Sequence, residues 1–220
     1  MNGQTMTVEQ LETVADALRK NGMIAHCVSD KTQVVPLVRS LLTVGESVAV
    51  GGSVTLEETG VLALLRSGDY RFIDRYAPDL TPEQQSETLR QGLLVNTFLC
   101  SSNAVTRAGE LYNVDGRANR VAAMAFGPDR VIVVVGSNKI VDDLPAAVRR
   151  VKTIAAPLNT KRLGCHTYCA VNGVCKAVDS ENYTDGCASP DRICSHYFVA
   201  GKQRVADRIC VILVGEPLGY

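Results

Sequence analysis

The sequence has no excess of charge of either sign. Lys plus Arg and Asp plus Glu each number 23 in 220 residues, and no run of like charge stands out. A protein that binds nucleic acid or a membrane surface needs a basic face to neutralise phosphates, so this balance argues against both kinds of partner. It leaves room for a local basic pocket.

Long apolar runs are also missing. No stretch approaches the roughly 18 apolar residues that a membrane-spanning helix needs. Residues 1–22 include acidic side chains and lack the continuous apolar core of a signal peptide. We therefore expect a cytoplasmic protein, in which cysteines serve as thiols or metal ligands rather than disulfides.

Helical and strand patterns alternate along the first three-quarters of the chain, which predicts a single α/β domain over residues 1–220. We expect a mostly parallel central sheet with helices on both faces, followed by an irregular C-terminal cysteine-rich segment at residues 164–204. The predicted strands are 24–28, 47–50, 70–73, 93–100, 131–135 and 209–214. The predicted helices are 8–20, 31–42, 56–66, one from Thr81, and one from Asp142 or Asp143 that ends before Pro157.

Two capping signals fix helix starts. Thr55 with Glu58 resembles a capping box for the third helix, and Thr81, Pro82 and Gln84 give a second, stronger signal. The polar stretch 103–119 carries glycine and short polar side chains, and we expect it to be irregular.

Ligands of open parallel sheets bind beyond the carboxyl ends of the strands, and three predicted loops lie there. The first contains Gly51, Gly52, Ser53 and Thr55. Its glycines would let the backbone approach an anion, which the start of a helix favours. A tight turn with a helix cap and no ligand is the alternative.

The second and third loops carry polar and charged side chains. Asn103 and Thr106 are candidate ligand-binding residues, and Glu110 and Asp115 are candidate general bases, although solvated turn carboxylates have the same pattern. In the third loop, Asn138 and Lys139 could meet a substrate phosphate or carboxylate, or Lys139 could project into water. We take Lys139 as a third candidate catalytic residue.

Cysteines are concentrated near the C-terminus, where five of the eight lie between Cys165 and Cys194. Their spacing is Cys165-x3-Cys169-x5-Cys175-x11-Cys187-x6-Cys194. Four thiolates suit either tetrahedral zinc or a [4Fe–4S] cluster. The segment lacks both the C-x2-C pairs of structural zinc sites and the C-x2-C-x2-C run of bacterial ferredoxins. The spacing therefore indicates a metal without identifying it, and disulfides or redox-sensor cysteines remain alternatives.

Taken together, the sequence resembles the short, cysteine-bearing branch of the LUD (lactate-utilisation) domain family. The residues that carry the resemblance are GGSVTLEETG (51–60), FLCSSNAVTRAGELYNVDGRANRVAAMAFGPDRVIVVVGSNKIV (98–141), AAPLNTKRL (155–163), CASPDRIC (187–194) and RICVILVGEPLGY (208–220). The resemblance implies the fold shared with sugar-phosphate isomerases and CoA transferases, with the glycine and polar loops forming the ligand cleft.

The resemblance also implies a metal site. Cys169, Cys175, Cys187 and Cys194 match the family's four cysteines, which implies a [4Fe–4S] cluster, with zinc as the alternative cofactor. The segment 176–186 is longer than in the family pattern, and Cys165 is additional, so it is a possible alternative ligand.

These patterns predict a metal- or cluster-binding protein that acts on a small organic acid or sugar phosphate in redox or hydroxy-acid metabolism. Such a protein would be oxidoreductase-associated or a cluster-dependent lyase. Its partners would be a small-molecule anion and an electron-transfer protein, and a homo-oligomer is compatible with the sequence. One alternative is an isomerase- or transferase-like enzyme with Glu110 or Asp115 as base and structural zinc. Another is a non-catalytic metabolite or redox sensor.

Overall fold

The structure, a computed structural model, describes residues 4–220. Its helices are α1 Val8–Lys20, α2 Val34–Leu41, α3 Val54–Glu58, α4 Val61–Leu65, α5 Pro82–Gln91, α6 Asn119–Ala125, α7 Leu144–Arg150, α8 Ala156–Arg162 and α9 Tyr168–Asn172. Its strands are β1 Ile24–Val28, β2 Ser47–Val50, β3 Arg71–Ile73, β4 Thr97–Cys100, β5 Ala104–Thr106, β6 Leu111–Asp115, β7 Arg130–Gly136, β8 Ile140–Val141, β9 His196–Ala200 and β10 Ile209–Val214. Within this described part of the chain, no helix is long and apolar enough to cross a membrane.

The central sheet is all-parallel, with its six strands in the order β1-β10-β7-β4-β2-β3. Its middle strands are apolar on both faces because helices cover both. On β7, Val131, Val133 and Val135 pack with α1, while Ile132 and Val134 pack with α2, α3 and α4. This arrangement confirms the predicted fold class.

Several helix starts follow the sequence signals. The Thr81 hydroxyl accepts a hydrogen bond from the backbone N–H of Gln84 at 3.3 Å, and the Gln84 side chain accepts one from the Thr81 N–H at 2.8 Å. The capping box of α5 is therefore confirmed. Asp143, rather than Asp142, caps α7 by accepting from the Ala146 N–H at 2.8 Å.

The predicted capping box of Thr55 with Glu58 is wrong. Ser53 is the N-cap of α3, and its hydroxyl accepts from the Leu56 N–H at 3.3 Å. The predicted helix 56–66 is also divided, because Gly60 has a φ of 77° and separates α3 from α4. Thr55 is thereby left inside the first turn, where its hydroxyl is available to a partner from another loop.

The stretch 103–119 is not irregular as predicted. It forms β5 and β6, which join a second sheet in the order β8-β5-β6-β9. The polar Asn113 at the centre of β6 is fully buried, and its side-chain oxygen accepts a hydrogen bond from Arg120. Because that partner comes from outside the strand, the local pattern gave no sign of burial.

The helix that was predicted to end before Pro157 continues through it. Proline has no N–H, and its ring clashes with the preceding turn of an α-helix. The chain widens to a π-helix over Val151–Ala155 and then proceeds into α8. The widened turn leaves the Lys152 carbonyl free for the Cys175 N–H, which donates to it at 2.8 Å.

Candidate functional site

A cavity of about 650 Å³ opens at the carboxyl edge of the central sheet. Strands β2, β4 and β7 are neighbours in that sheet, so the loops that follow them meet at one place. The predicted residues that line the cavity are Gly52, Ser53, Thr55, Asn103, Asp115 and Lys139. The cavity therefore draws on all three of the loops in which a ligand was predicted to bind.

Lys139 is buried in the wall of the cavity, with 3% of its surface exposed. Its ammonium group donates to the Thr55 hydroxyl at 2.7 Å and to the Ser101 hydroxyl at 3.0 Å. Burial lowers the pKa of Lys139 to about 7, and repulsion from Arg150 and Arg120 adds to the shift. Across residues 4–220 no carboxylate lies within ion-pair distance of this amine.

Arg120, at the first turn of α6, organises the floor of the cavity and was missed from the sequence. Its guanidinium donates to the backbone carbonyls of Ser101 at 3.1 Å and Val114 at 2.8 Å. It also donates to the side-chain oxygens of Asn103, at 2.9 Å, and Asn113. These bonds tie the loop after β4 to the end of β6.

The two glycines after β2 have different roles. A Cβ on Gly51 would lie 3.0 Å from Cδ of Arg120 and 3.3 Å from Cβ of Cys100, so Gly51 makes room for the arginine. A Cβ on Gly52 would have only ordinary contacts, the nearest being the Tyr76 hydroxyl at 3.7 Å. Gly52 lines the cavity and leaves its backbone open to a ligand.

The cavity lining carries more cationic than anionic side chains. Its cations are Arg75, Arg117, Arg120, Lys139, Arg162 and Arg192, and its side-chain carboxylates are Asp115 and Asp191. The overall neutral chain thus concentrates positive charge at one place, and such a surface attracts anions. None of these five arginines was predicted as a site residue, because they come from separate parts of the sequence.

Asp115 lines the cavity, but backbone amides occupy both of its carboxylate oxygens. One oxygen accepts from the Arg117 N–H at 3.1 Å, and the other accepts from Arg120 at 3.1 Å and Val121 at 3.3 Å. These bonds hold Ala118 in the left-handed region with a φ of 63°. Asp115 therefore stabilises the strained start of α6 and is poorly placed to abstract a proton.

Besides Gly51, three predicted site residues, Thr106, Glu110 and Asn138, do not line the cavity. Glu110 accepts from the Thr106 hydroxyl at 2.9 Å in the β5–β6 turn. Asn21, just beyond the C-terminal end of α1, donates to the carbonyls of this turn. The β5–β6 turn therefore lies near the amino end of β1 and away from the cavity. Asn138 holds the chain end, donating to the Gly219 carbonyl at 3.0 Å and accepting from the Leu218 N–H at 3.1 Å.

The cysteines of the C-terminal segment are all free thiols. Cys175 and Cys194 line a second, smaller cavity. Burial raises the pKa of the Cys194 thiol, and the nearby Cys175 and Cys187 add to this shift. Cys169 is buried and does not line that cavity, and its sulfur lies 3.4 Å from the Thr167 hydroxyl. Among residues 4–220, no three Cys, His, Asp or Glu side chains are grouped closely enough to hold a metal ion. The four-cysteine ligand set stays a prediction.

Cys165 and Arg192 connect the cysteine segment with the large cavity. Both line that cavity, and desolvation raises the pKa of the Cys165 thiol. The Arg192 guanidinium donates to the Cys194 carbonyl at 2.9 Å and to the Tyr197 hydroxyl at 2.9 Å. One wall of the anion-attracting cavity is therefore built from the segment that carries the predicted metal ligands.

The fold and the cavity define an α/β protein with a basic cleft at the carboxyl edge of a parallel sheet. The model of the LUD domain family matches residues 11–214, so the chain belongs to this family, which is associated with lactate utilisation. A crystal structure of a DUF162 family protein from Deinococcus radiodurans aligns over 95% of this chain and 98% of that chain, with 16% identity and a TM-score of 0.48. No curated protein matches the sequence.

Proposed function

We propose that the large cavity binds a small anion, either an organic acid or a sugar phosphate. We propose that the protein acts in hydroxy-acid metabolism of the lactate type. The observation that carries this proposal is the surplus of cationic side chains around the cavity, with the buried Lys139 at its wall. A buried ammonium group is costly without an anionic partner. A bound carboxylate or phosphate would supply that partner.

Lys139 is the residue we propose for proton transfer. Because its pKa is lowered to about 7, its Nζ can hold or release a proton near neutral pH. The hydroxyls of Thr55 and Ser101 fix the position of Nζ, so its remaining hydrogen-bonding capacity can be directed to a ligand oxygen. Arg120 supports this by holding the Ser101 carbonyl.

We further propose that Cys169, Cys175, Cys187 and Cys194 hold a [4Fe–4S] cluster beside the cavity. Two of these thiols already share the second cavity, and the Tyr112 hydroxyl, which also lies there, is a buried polar group that lacks a partner in residues 4–220. A cluster would supply electron transfer, which calls for an electron-transfer protein as partner, or a Lewis acid for dehydration of a hydroxy acid. Zinc is the alternative occupant.

An isomerase- or transferase-like reaction with a carboxylate base has less support. Backbone amides occupy both carboxylate oxygens of Asp115, and Glu110 lies outside the cavity. Lys139, with its pKa lowered to about 7, could act as the base instead. An isomerase- or transferase-like reaction and a cluster-dependent reaction would then both use Lys139, and only the second would need the metal.

Calorimetric titration with L-lactate, pyruvate and ribose 5-phosphate tests the anion site. We expect saturable binding of at least one of them, and at least about a tenfold loss of affinity in Lys139→Met, because a hydrogen bond to a charged group is lost. The exposed Lys20 in the last turn of α1 provides a control, and Lys20→Met should bind like the wild type. Absence of saturation with all three anions, or equal affinity in Lys139→Met, would contradict the proposal.

Analysis of anaerobically purified protein for iron, acid-labile sulfide and zinc tests the metal site. A brown protein with iron and sulfide in equal amounts is the expected result. A colourless protein containing zinc would favour the alternative, and protein without any metal would remove the site altogether.

A further inference from the structure

The large cavity has more room than a three-carbon acid needs. Its volume is about 650 Å³, and cavities of about 300–1,000 Å³ enclose ligands of drug size. Lys139 is buried in its wall, whereas Arg162 on α8 is an exposed side chain of its lining. The cavity therefore offers cationic groups at different depths, and a ligand that fills it could reach more than one of them.

Lys139 has hydrogen-bonding capacity for one ligand oxygen. An ammonium group has three N–H donors, and two of them are taken by the hydroxyls of Thr55 at 2.7 Å and Ser101 at 3.0 Å. One donor remains, which suits a single oxygen of a carboxylate. A phosphate has three acceptor oxygens and more than one negative charge, which the one remaining donor does not match.

Arg162 is held in a closed triangle of hydrogen bonds. Its Nε donates to the Tyr220 hydroxyl at 2.5 Å, and its Nη2 donates to the side-chain oxygen of Asn159 at 2.8 Å. The Tyr220 hydroxyl in turn donates to the same Asn159 oxygen at 3.1 Å, and all three residues line the cavity. A guanidinium has five N–H donors, so three remain for a ligand. Within residues 4–220, no carboxylate lies at ion-pair distance from Arg162.

The triangle is not needed to fasten the segment 216–220. Asn138 donates to the Gly219 carbonyl at 3.0 Å and accepts from the Leu218 N–H at 3.1 Å. Glu58 accepts from the Gly219 N–H at 2.7 Å, and Leu218 is buried in the core. These contacts already fix the segment, so the triangle has a consequence of its own, which is to orient an exposed guanidinium before a ligand binds. Fixing its rotamer in advance reduces the entropy that binding costs.

The same segment connects the two cations. A Cβ on Gly219 would lie 3.4 Å from Nζ of Lys139. The next residue, Tyr220, carries the hydroxyl that holds Arg162. Lys139 and Arg162 therefore lie against successive residues of one segment and line one cavity.

We propose that the ligand of the large cavity is a phosphorylated hydroxy acid, whose carboxylate meets Lys139 and whose phosphate meets Arg162. This inference rests on the proposed anion site and narrows its ligand class to compounds that carry both groups. The fork of a guanidinium binds two phosphate oxygens at once. At the exposed end of the cavity, the phosphate also keeps part of its hydration. Asn159 and Tyr220 are positioning residues in this role, because they orient Arg162.

Calorimetric titration with two pairs of acids tests the inference. 3-Phosphoglycerate is paired with glycerate, and 6-phosphogluconate with gluconate, so that the distance between carboxylate and phosphate differs between the pairs. We expect at least one phosphorylated acid to bind at least about tenfold more tightly than its parent acid, because it gains hydrogen bonds to a charged group. Arg162→Met should abolish this preference without changing the affinity for the parent acid. Lys139→Met should weaken the binding of both members of the pair.

Two further variants separate a specific contact from general attraction. Lys161 is the neighbour of Arg162 on α8, is exposed and does not line the cavity. Lys161→Met removes the same charge and should keep the full preference. Tyr220→Phe keeps every charge and removes only the hydroxyl that holds Arg162. It should weaken the binding of the preferred phosphorylated acid and leave that of the parent acid unchanged. The melting temperature of each variant verifies that it is folded.

A preference for the phosphorylated acid that Arg162→Met loses and Lys161→Met keeps supports the inference. If lactate binds but neither phosphorylated acid binds more tightly than its parent, the inference is overturned and the anion site stands. A preference that survives in Arg162→Met, or that Lys161→Met loses equally, also overturns it. An undiminished preference in Tyr220→Phe overturns the positioning role of Tyr220. Absence of saturable binding of all four acids, and of the three anions in the first titration, overturns both proposals.

Discussion

The large cavity and the cysteine segment lie against each other but are held in different ways. The loops around the cavity follow β2, β4 and β7, three neighbouring strands of the buried sheet. The segment at residues 164–204 has only the short helix α9 and strand β9, and many of its side chains are exposed. Strands of the central sheet position the first region, whereas the second is joined to the rest of the protein by the pairing of β9 with β6 and by polar contacts.

Those polar contacts involve side chains outside the segment, such as Lys152, and within it, such as Arg192. Lys152 and Arg192 donate to its backbone carbonyls, and Asp191 accepts from the His166 N–H at 2.8 Å, which lowers the pKa of the Asp191 carboxyl. The segment has few apolar residues to hold it, and we expect that bringing its thiols together depends on the metal.

Among the substitutions considered, Cys187→Ser should have the largest effect on the difference between the large cavity and the cysteine segment. Removing one thiolate should abolish metal retention and raise amide hydrogen exchange throughout residues 164–204, while β7 and β10 stay protected. Mass-spectrometric exchange with metal analysis measures both. Cys27→Ser serves as the control because Cys27 lies on β1, outside the segment, and it should retain metal. Slow exchange in the segment of Cys187→Ser would show that it is held without metal.

Arg120→Met should have the next largest effect, this time on the cavity. It removes the guanidinium that donates to the Ser101 and Val114 carbonyls and to two asparagine side-chain oxygens, and this loss should lower the free energy of unfolding by about 3–5 kcal/mol. Arg117 also lines the cavity but is exposed, so Arg117→Met should change stability by no more than about 0.5 kcal/mol. Urea denaturation compares the two, and similar losses would mean that Arg120 does not organise the floor.

The adjacent glycines provide a smaller and finer comparison. Gly51→Val would press on Arg120 and should cost about 1–3 kcal/mol by overpacking. A Cβ at Gly52 would have only ordinary contacts, so Gly52→Val should leave stability nearly unchanged and weaken anion binding by covering the backbone that faces the cavity. Thermal unfolding and calorimetric titration of both variants test this. If Gly52→Val unfolds the protein, the loop is a structural turn and its backbone does not serve the ligand.

The scaffold could be predicted from sequence because its signals are local. The continuous apolar run of β7 and the capping residues of α5 depend on neighbours in the chain. The second sheet could not be predicted, since the groups that bond the buried side chain of Asn113, the Arg120 guanidinium and the Asn103 N–H, come from outside its strand. The continuation of the helix through Pro157 likewise required the π-helical turn, which no local pattern indicated.

The candidate site, like the fold, could be predicted in part. The three loops were identified because strand ends and short polar residues mark them. Glu110 and Asp115 have the composition of catalytic residues, but the hydrogen bonds that occupy them come from the Thr106 side chain and from backbone amides that only folding aligns. The basic side chains of the cavity come from separate elements, so their assembly appears only in three dimensions.

The pH dependence of anion binding tests the central claim most directly. The pKa of Lys139 is lowered to about 7 in the ligand-free protein, and an adjacent anion would raise it by favouring the ammonium form. Binding above pH 7 should then take up a proton, so affinity should fall as pH rises, by at most about tenfold per pH unit. Titration calorimetry of wild type and Lys139→Met between about pH 6.5 and 8.5, in buffers of different ionisation heat, measures this uptake. The account predicts proton uptake in wild type and none in Lys139→Met. A wild-type affinity independent of pH, or the same dependence in Lys139→Met, would contradict it.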